Sequence, residues 1–346
     1  MDRRTLLKVL ALSAGLALAF PAQAQTRTVV DSAGRSVEVP EAPARVLAAG
    51  PPASVLLYAV APEKMVGWVR APSAAEKAYL APPWRDLPAT GSLTGKGDTP
   101  NLDMVRAARP DLILDAGTVD PTYAALADRV QAETGIPYVL VDGSLARTPA
   151  TLREVGALLG VPERAGEQAA FAEAALARLA ARLAAIPEDA RPRVYYGRGR
   201  DGLVTGLAGS INLEVLGAVG ATNVAEAAGT GGLTDVTAAQ VIAWNPDVIL
   251  AADPAFAAAV RSDPAWADVA AVRDGRVHRA PALPFGWFDS PPGINRLIGI
   301  EWLTSVLYPG EGSVDLRAAA RDFYALFYHV TLADADLDAL LADGGR

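Results

Sequence analysis

One unit of hydrophobic and polar positions occurs twice along this chain. The stretch NLDMVRAARPDLILDAG from Asn101 returns from Thr237 as TAAQVIAWNPDVILAAD, with Pro110-Asp111 falling on Pro246-Asp247. Val105, Ala107, Ile113, Leu114 and Ala116 meet the same residue types at Val241, Ala243, Ile249, Leu250 and Ala252. Each copy predicts a short amphipathic helix, a Pro-Asp break and an apolar run suited to a strand buried on both faces. One unit repeated far down a chain implies two lobes of like build, and a cleft between lobes is where small ligands bind.

The remaining pattern fills in both lobes. Alternation from Thr28 to Pro40 about Asp-Ser-Ala-Gly predicts a hairpin. Arg45–Ala49 reads as a strand broken by Gly50-Pro51-Pro52, with a helix from Ser54 to Val60 and another strand over Met65–Val69. Residues 77–96 carry the composition of a loop, a helix follows near Tyr123–Thr134, and Pro137–Val141 is again strand-like. Pro162-Glu163-Arg164 opens a long helix with Phe171, Ala175, Leu179, Leu183 and Ile186 on one face and Pro187 as its stop. Some two dozen residues at 1.5 Å each give roughly 36 Å, enough to run from one lobe to the other. Strands return at Arg193–Tyr196 and Arg276–His278, and Pro291-Pro292 leads into a final helix pair. Alternating strand and helix argues for an α/β fold with parallel sheets. The expected division is a cleaved segment 1–24, a first lobe 25–150, a helical linker 151–187 and a second lobe 188–346.

The N-terminus and composition decide where such a molecule works. Arg3, Arg4 and Lys8 precede an apolar run from Val9 to Phe20, and Ala22-Gln23-Ala24 is a small-x-small cleavage site. These are the marks of an export signal, by a Sec or a twin-arginine route, and a periplasmic destination is expected. The chain has no cysteine, which excludes disulfides, thiolate metal sites and a lipid-bearing N-terminal Cys. A net charge of −8 without a basic tract argues against nucleic acid as a partner.

In open α/β sheets, ligands sit beyond the carboxyl ends of the strands. Those ends offer Pro51, Trp68, Arg70 and Thr118 in the first lobe, with Lys96 in a neighbouring loop. The second lobe offers Tyr196, Arg198, Arg200, Trp287 and Phe288. Guanidinium groups suit bidentate pairing with carboxylates, hydroxamates or oxyanions, and the aromatic faces would cover an organic ligand. The two histidines, His278 and His329, lie far apart and make no metal site. An exported hydrolase would need a nucleophile with its base, and no Gly-x-Ser-x-Gly elbow is present. Gly197-Arg-Gly-Arg-Asp-Gly202 matches a dinucleotide fingerprint only in its spacing, since Leu-Val-Thr follows it in place of a helix.

The two helix-Pro-Asp-strand units, the long helix, the Gly209–Leu216 and Gly220–Val224 segments and Arg276-Val-His278 together resemble the class III periplasmic substrate-binding proteins. The resemblance covers nearly all of the chain after the signal. It implies two Rossmann-like lobes, each a mostly parallel sheet with flanking helices, joined by one rigid inter-lobe helix. It also implies a monomeric, non-enzymatic receptor that hands its ligand to an inner-membrane ABC permease with a cytoplasmic ATPase. An acidic residue atop each lobe would dock there. Asp103 matches the first, while the second falls on Ala239, leaving Asp235 or Glu214 as substitutes. Gly286–Arg296 is similar to a segment of the family's siderophore and molybdate branch, which makes Arg296 a ligand candidate and leaves Asp289 as a helix cap. No resident cofactor is implied, since any metal would arrive inside the ligand. The expected ligand is an anionic metal chelate, a ferric siderophore first, with molybdate or tungstate next and cobalamin or haem after them. A periplasmic ligand sensor would share the same cleft.

Overall fold

A computed structural model describes residues 25–94, 101–310 and 314–343; the expected signal segment and Lys96 lie outside the described residues. β1 (Thr26–Val30) and β2 (Ser36–Pro40) form the antiparallel hairpin. Its turn is held by the Asp31 carboxylate, which accepts from the Ala33 and Arg35 amides at 3.0 Å. β3 (Val46–Ala48), β4 (Leu112–Gly117) and β5 (Tyr138–Asp142) make a parallel sheet in that order. β6 (Arg193–Gly197), β7 (Val204–Gly206), β8 (Thr222–Asn223), β9 (Leu233–Asp235), β10 (Val248–Ala251) and β11 (Val277–His278) follow. β7 and β9 pair as an antiparallel ribbon, and the other four form a second parallel sheet ordered β11-β10-β6-β8. Among the described residues, no helix is long and apolar enough to cross a membrane.

The repeated unit has one physical job in both sheets. Its helices, Leu102–Ala108 and Ala238–Trp244, start at side-chain caps from Asn101 and Thr237. They end at left-handed residues, Arg109 (φ 47°) and Asn245 (φ 46°). The Asp after each proline then accepts from the backbone that opens the neighbouring strand. Asp111 takes the Ala44 and Arg45 amides at 2.8 and 3.0 Å, and Asp247 takes the Arg193 amide at 2.8 Å. Arg45 and Arg193 return the favour, donating to the last carbonyls of the paired helix. These bonds satisfy carbonyls that a helix end leaves without partners.

The strand expected over Met65–Val69 is reduced to two single bridges, Met65 to Val46 and Trp68 to Ala89. The segment beside it begins at Pro88, which accepts from the Trp68 amide but has no N–H to return, so the ladder cannot lengthen.

The long helix runs Pro162–Leu183, about 33 Å at 1.5 Å per residue. Its fully buried face is a stripe of small residues, Ala165, Ala169, Ala172 and Ala175, with Gln168 and Leu179. Phe171 and Leu183 are only half-buried, and Ile186 lies past the helix end, so the buried face is rotated from the expected one. Small side chains let the helix pack tightly, Ala165 against Gly156 for example. Gln168 donates to Ala59 O (2.7 Å) and Leu326 O (3.1 Å), tying together helices far apart in sequence.

Alternate residues of the central strands serve different cores. Leu112 and Leu114 of β4, Ala169 and Ala172 of the long helix, and Val248 and Leu250 of β10 belong to one continuous apolar core. Ile113 and Ile249 face outward into satellite cores beneath the outer helices. A core shared by both sheets makes the two halves one packed body rather than beads on a linker.

Candidate functional site

The carboxyl ends of both parallel sheets open onto one chamber of about 510 Å³. The first half contributes Pro51 and Pro52, which start the helix after β3, and Thr94 from a loop held on Ala49 O. Asp115 of β4, Thr118 just beyond it, and Tyr123 in the first turn of the following helix complete that wall. Asp120 caps this helix, accepting from the Thr122 and Tyr123 amides at 2.8 and 3.0 Å, which fixes Tyr123 at the rim. Across the chamber stand Arg198, Ile211, Asn212 and Ser290.

The charges of the chamber are pre-paired. Arg198 Nε lies 2.8 Å from Asp289, whose side chain is fully buried, and Asn212 donates to the other carboxylate oxygen at 2.8 Å. Tyr196 OH reaches the same carboxylate at 3.4 Å, and burial together with that negative charge holds its phenol well above the ordinary range. Arg70 at the rim holds Glu76 in a two-pronged pair. Asp115 is 3 % exposed, accepting from Tyr138 OH at 2.8 Å and from the Ala116 amide at 2.9 Å. Burial pushes its carboxyl up to about 6, although both hydrogen bonds pull the other way. The wall thus presents hydroxyls, an amide, two guanidinium groups and one buried acid.

Of the residues expected to meet a ligand, Pro51, Arg70, Thr118 and Arg198 line this chamber. The aromatic group does not. Trp68 is buried against Tyr58 (5.0 Å between rings) and Phe285, with its indole N–H on Trp84 O. Trp287 is fully buried and donates to Tyr324 OH at 3.0 Å. Tyr196 and Phe288 pack on each other at 4.3 Å and border a separate side chamber of about 200 Å³. Large apolar rings gain more by packing against one another than by lining a polar void, so they go to the core.

Four further expectations are corrected. Arg200 is exposed on the loop and does not reach the chamber wall. Arg296 is wholly buried: it pairs with Glu214 at 2.6 Å and donates to the carbonyls of Gly143, Ile211 (3.1 Å) and Gly293 (3.0 Å), bridging the two halves. Glu214 also accepts from the Leu145 amide at 2.8 Å, so it is committed to this knot and is not a docking acid. Asp289 caps no helix; it orients Arg198 and Asn212 instead. Asp103 is fully on the surface, its side chain 96 % exposed beside Arg106. Asp115, Tyr123 and Asn212 were not anticipated. The available signal for Asp115 was a lone acid inside an apolar strand, four residues after the Pro-Asp break.

Among the described residues, no group of three or more His, Asp or Glu side chains could hold a metal ion. His329 sits 3.1 Å from Tyr58 O among aromatic rings, and burial lowers its pKa. The glycines of Gly197–Gly202 serve packing, because Phe256 covers both Gly197 and Gly202 too closely for a side chain at either.

Known proteins share this architecture. The ABC transporter solute binding protein from Sulfurospirillum deleyianum superposes with a TM-score of 0.83 at 29% identity, covering 91% of this chain and 99% of that one. The molybdate-binding protein MolA of Haemophilus influenzae is 34% identical over 176 residues, 47% of this chain and 46% of that protein, so the match spans about half the length of that curated relative. The structure of MolA bound to molybdate has the same fold, with a TM-score of 0.71 at 23% identity over 89% of this chain and 99% of that one. The family described as periplasmic binding protein matches residues 52–283. The chain is therefore a member of the periplasmic binding protein family.

Proposed function

We propose that this protein is the periplasmic receptor of an ABC importer and that it captures an oxyanion of the molybdate and tungstate class in the chamber between its two sheets. The observation that carries this reading is the lining itself. Thr94, Thr118, Tyr123 and Ser290 with their hydroxyls, Asn212 with its amide and Arg70 and Arg198 with their guanidinium groups line it, while the aromatic rings expected to cover an organic chelator are packed elsewhere. Hydrogen-bond donors around a void match the acceptor-only surface of an oxyanion. The 34% identity to a molybdate-binding protein supports the same order. A volume near 510 Å³ exceeds that of a bare tetrahedral anion and leaves room for bridging water.

That volume also favours the second reading, a ferric chelate, with the side chamber beside Tyr196 and Phe288 as extra room. Calorimetric titration of the mature chain separates the two. Submicromolar, saturable binding of molybdate or tungstate, with no response to ferric hydroxamate, catecholate or carboxylate chelates, is expected. Chelate binding without oxyanion binding would reverse the order. For delivery, exposed Asp103 and, in the second half, exposed Asp235 are the candidate permease contacts. Asp103→Arg should reduce uptake in a reconstituted importer while leaving ligand affinity unchanged.

A further inference from the structure

An anion chamber with a buried carboxyl in its wall contains a contradiction that chemistry must resolve. Asp115 lines the void, is almost wholly buried and, among the described residues, has a phenol and its neighbour's amide as hydrogen-bond partners. The fold does not require an acid there. The same position in the second copy of the repeated unit is Ala251, in a strand of the same register and burial, whereas the acid that does serve the fold, Asp111, is kept as Asp247. A carboxylate at this point would repel an incoming oxyanion, and the low local polarity would leave that repulsion poorly screened.

We propose that Asp115 is a specificity-determining acid of the chamber: it takes up one proton from solvent as an oxyanion binds and offers the neutral carboxyl to it as a hydrogen-bond donor. The inference rests on the oxyanion reading above. The bookkeeping of charge is simple. The ligand keeps its negative charge, Asp115 loses its own, and the new O–H finds an acceptor oxygen on the ligand. A carboxyl kept neutral by its surroundings is an established way to donate to an oxyanion.

The surrounding groups allow this. From β5, Tyr138 OH faces Asp115, with Asp142 at that strand's end; the helix after β4 brings Tyr123 and the capping Asp120. Behind Tyr138, Arg35 is already paired with Asp31 and Asp128. The segments of β3 and of the helix beginning at Pro51 that flank β4 carry no charged residue. Across the chamber, Arg70 and Arg198 each carry a carboxylate partner, Glu76 and Asp289. Among the described residues, no unpaired cation stands against Asp115 to hold it ionised beside a second anion, and burial already raises its pKa.

The test is calorimetry of the mature chain with sodium molybdate, at about pH 7.5, in two buffers of different ionisation enthalpy. Uptake of about one proton per anion is expected, with affinity rising roughly tenfold per pH unit from about pH 8 towards 6 and levelling below, as proton linkage requires. Asp115→Asn should take up no proton and bind with a flat pH profile. Zero proton uptake by the wild type would overturn the proposal without any variant, and so would an unchanged pH slope in Asp115→Asn. If neither protein binds molybdate or tungstate at about pH 5.5 or 7.5, the oxyanion reading itself falls and takes this proposal with it.

Discussion

Replacing Arg296 by Met would remove the charged group that joins the two halves while keeping most of its volume. The guanidinium donates to Glu214 from the second half, to Gly143 O beyond the first sheet, to Ile211 O and to Gly293 O. Its loss takes a donor from the Gly143 and Ile211 carbonyls, leaves Gly293 O with only the residue-296 amide, and strands the Glu214 carboxylate. Removing one partner of a buried ion pair costs about 3–5 kcal/mol. Glu214 is 31 % exposed and keeps the Leu145 amide, so water can recover part of that, and the lower end, about 3 kcal/mol, is expected. For a chain of this size, with about 2.1 cal/mol/K of unfolding entropy per residue, that corresponds to a fall of roughly 4–5 °C in Tm. Arg296→Lys keeps the charge but not the planar fork and should cost about half as much. Urea unfolding followed by tryptophan fluorescence, beside differential scanning calorimetry, reads the loss; calorimetric titration reads ligand affinity. Arg296 does not line the chamber, so affinity should change less than about threefold in Arg296→Met. A stability loss under 1 kcal/mol together with a collapse of binding would refute the structural role and return Arg296 to the ligand.

Other outcomes follow from single contacts. Arg198→Ala should weaken oxyanion binding by about 2–4 kcal/mol, because the wall loses a guanidinium and the buried Asp289 carboxylate behind it loses its cation; calorimetry reads this, and an unchanged affinity would place the anion elsewhere. Asp111→Ala and Asp247→Ala should each cost about 1–2 kcal/mol, and the double variant should show their sum, since the two sites lie in different sheets. Gly299→Ala puts a methyl group into van der Waals overlap with the Trp287 carbonyl and should destabilise by about 3 kcal/mol, read as a drop in urea midpoint. The raised carboxyl of Asp115 favours the folded state below its unfolded value near 3.8, and this contribution fades as pH rises through about 6. Asp115→Asn should accordingly be the more stable protein above pH 7, by up to roughly 3 kcal/mol, with the difference from wild type shrinking towards pH 4; parallel Tm curves would contradict this.

Much of the frame was legible in the residues because it rests on local rules. The Pro-Asp break after each short helix, the apolar runs of Leu112–Ala116 and Val248–Ala252, and the proline-led long helix each follow from spacing and backbone chemistry alone. The strand-end rule likewise brought Pro51, Arg70, Thr118 and Arg198 to the chamber. It misplaced Trp68, Trp287 and Phe288 because nearness to a strand end says nothing about which way a ring turns, and these rings gain more by packing against Tyr58, Tyr324 and Tyr196.

Which charges remain available to a ligand was decided only in three dimensions. Arg296 and Arg198 look alike along the chain, yet one is consumed by Glu214 and backbone carbonyls while the other stands at the chamber wall beside Asp289. Asp111 and Asp115 lie four residues apart, yet one accepts from the backbone amides that open the neighbouring strand and the other is sealed into the chamber wall. Pattern and propensity act over a few residues and therefore determine elements and their order. Pairing of charges and burial depend on partners tens to more than a hundred residues away, and only the packed fold brings those partners together.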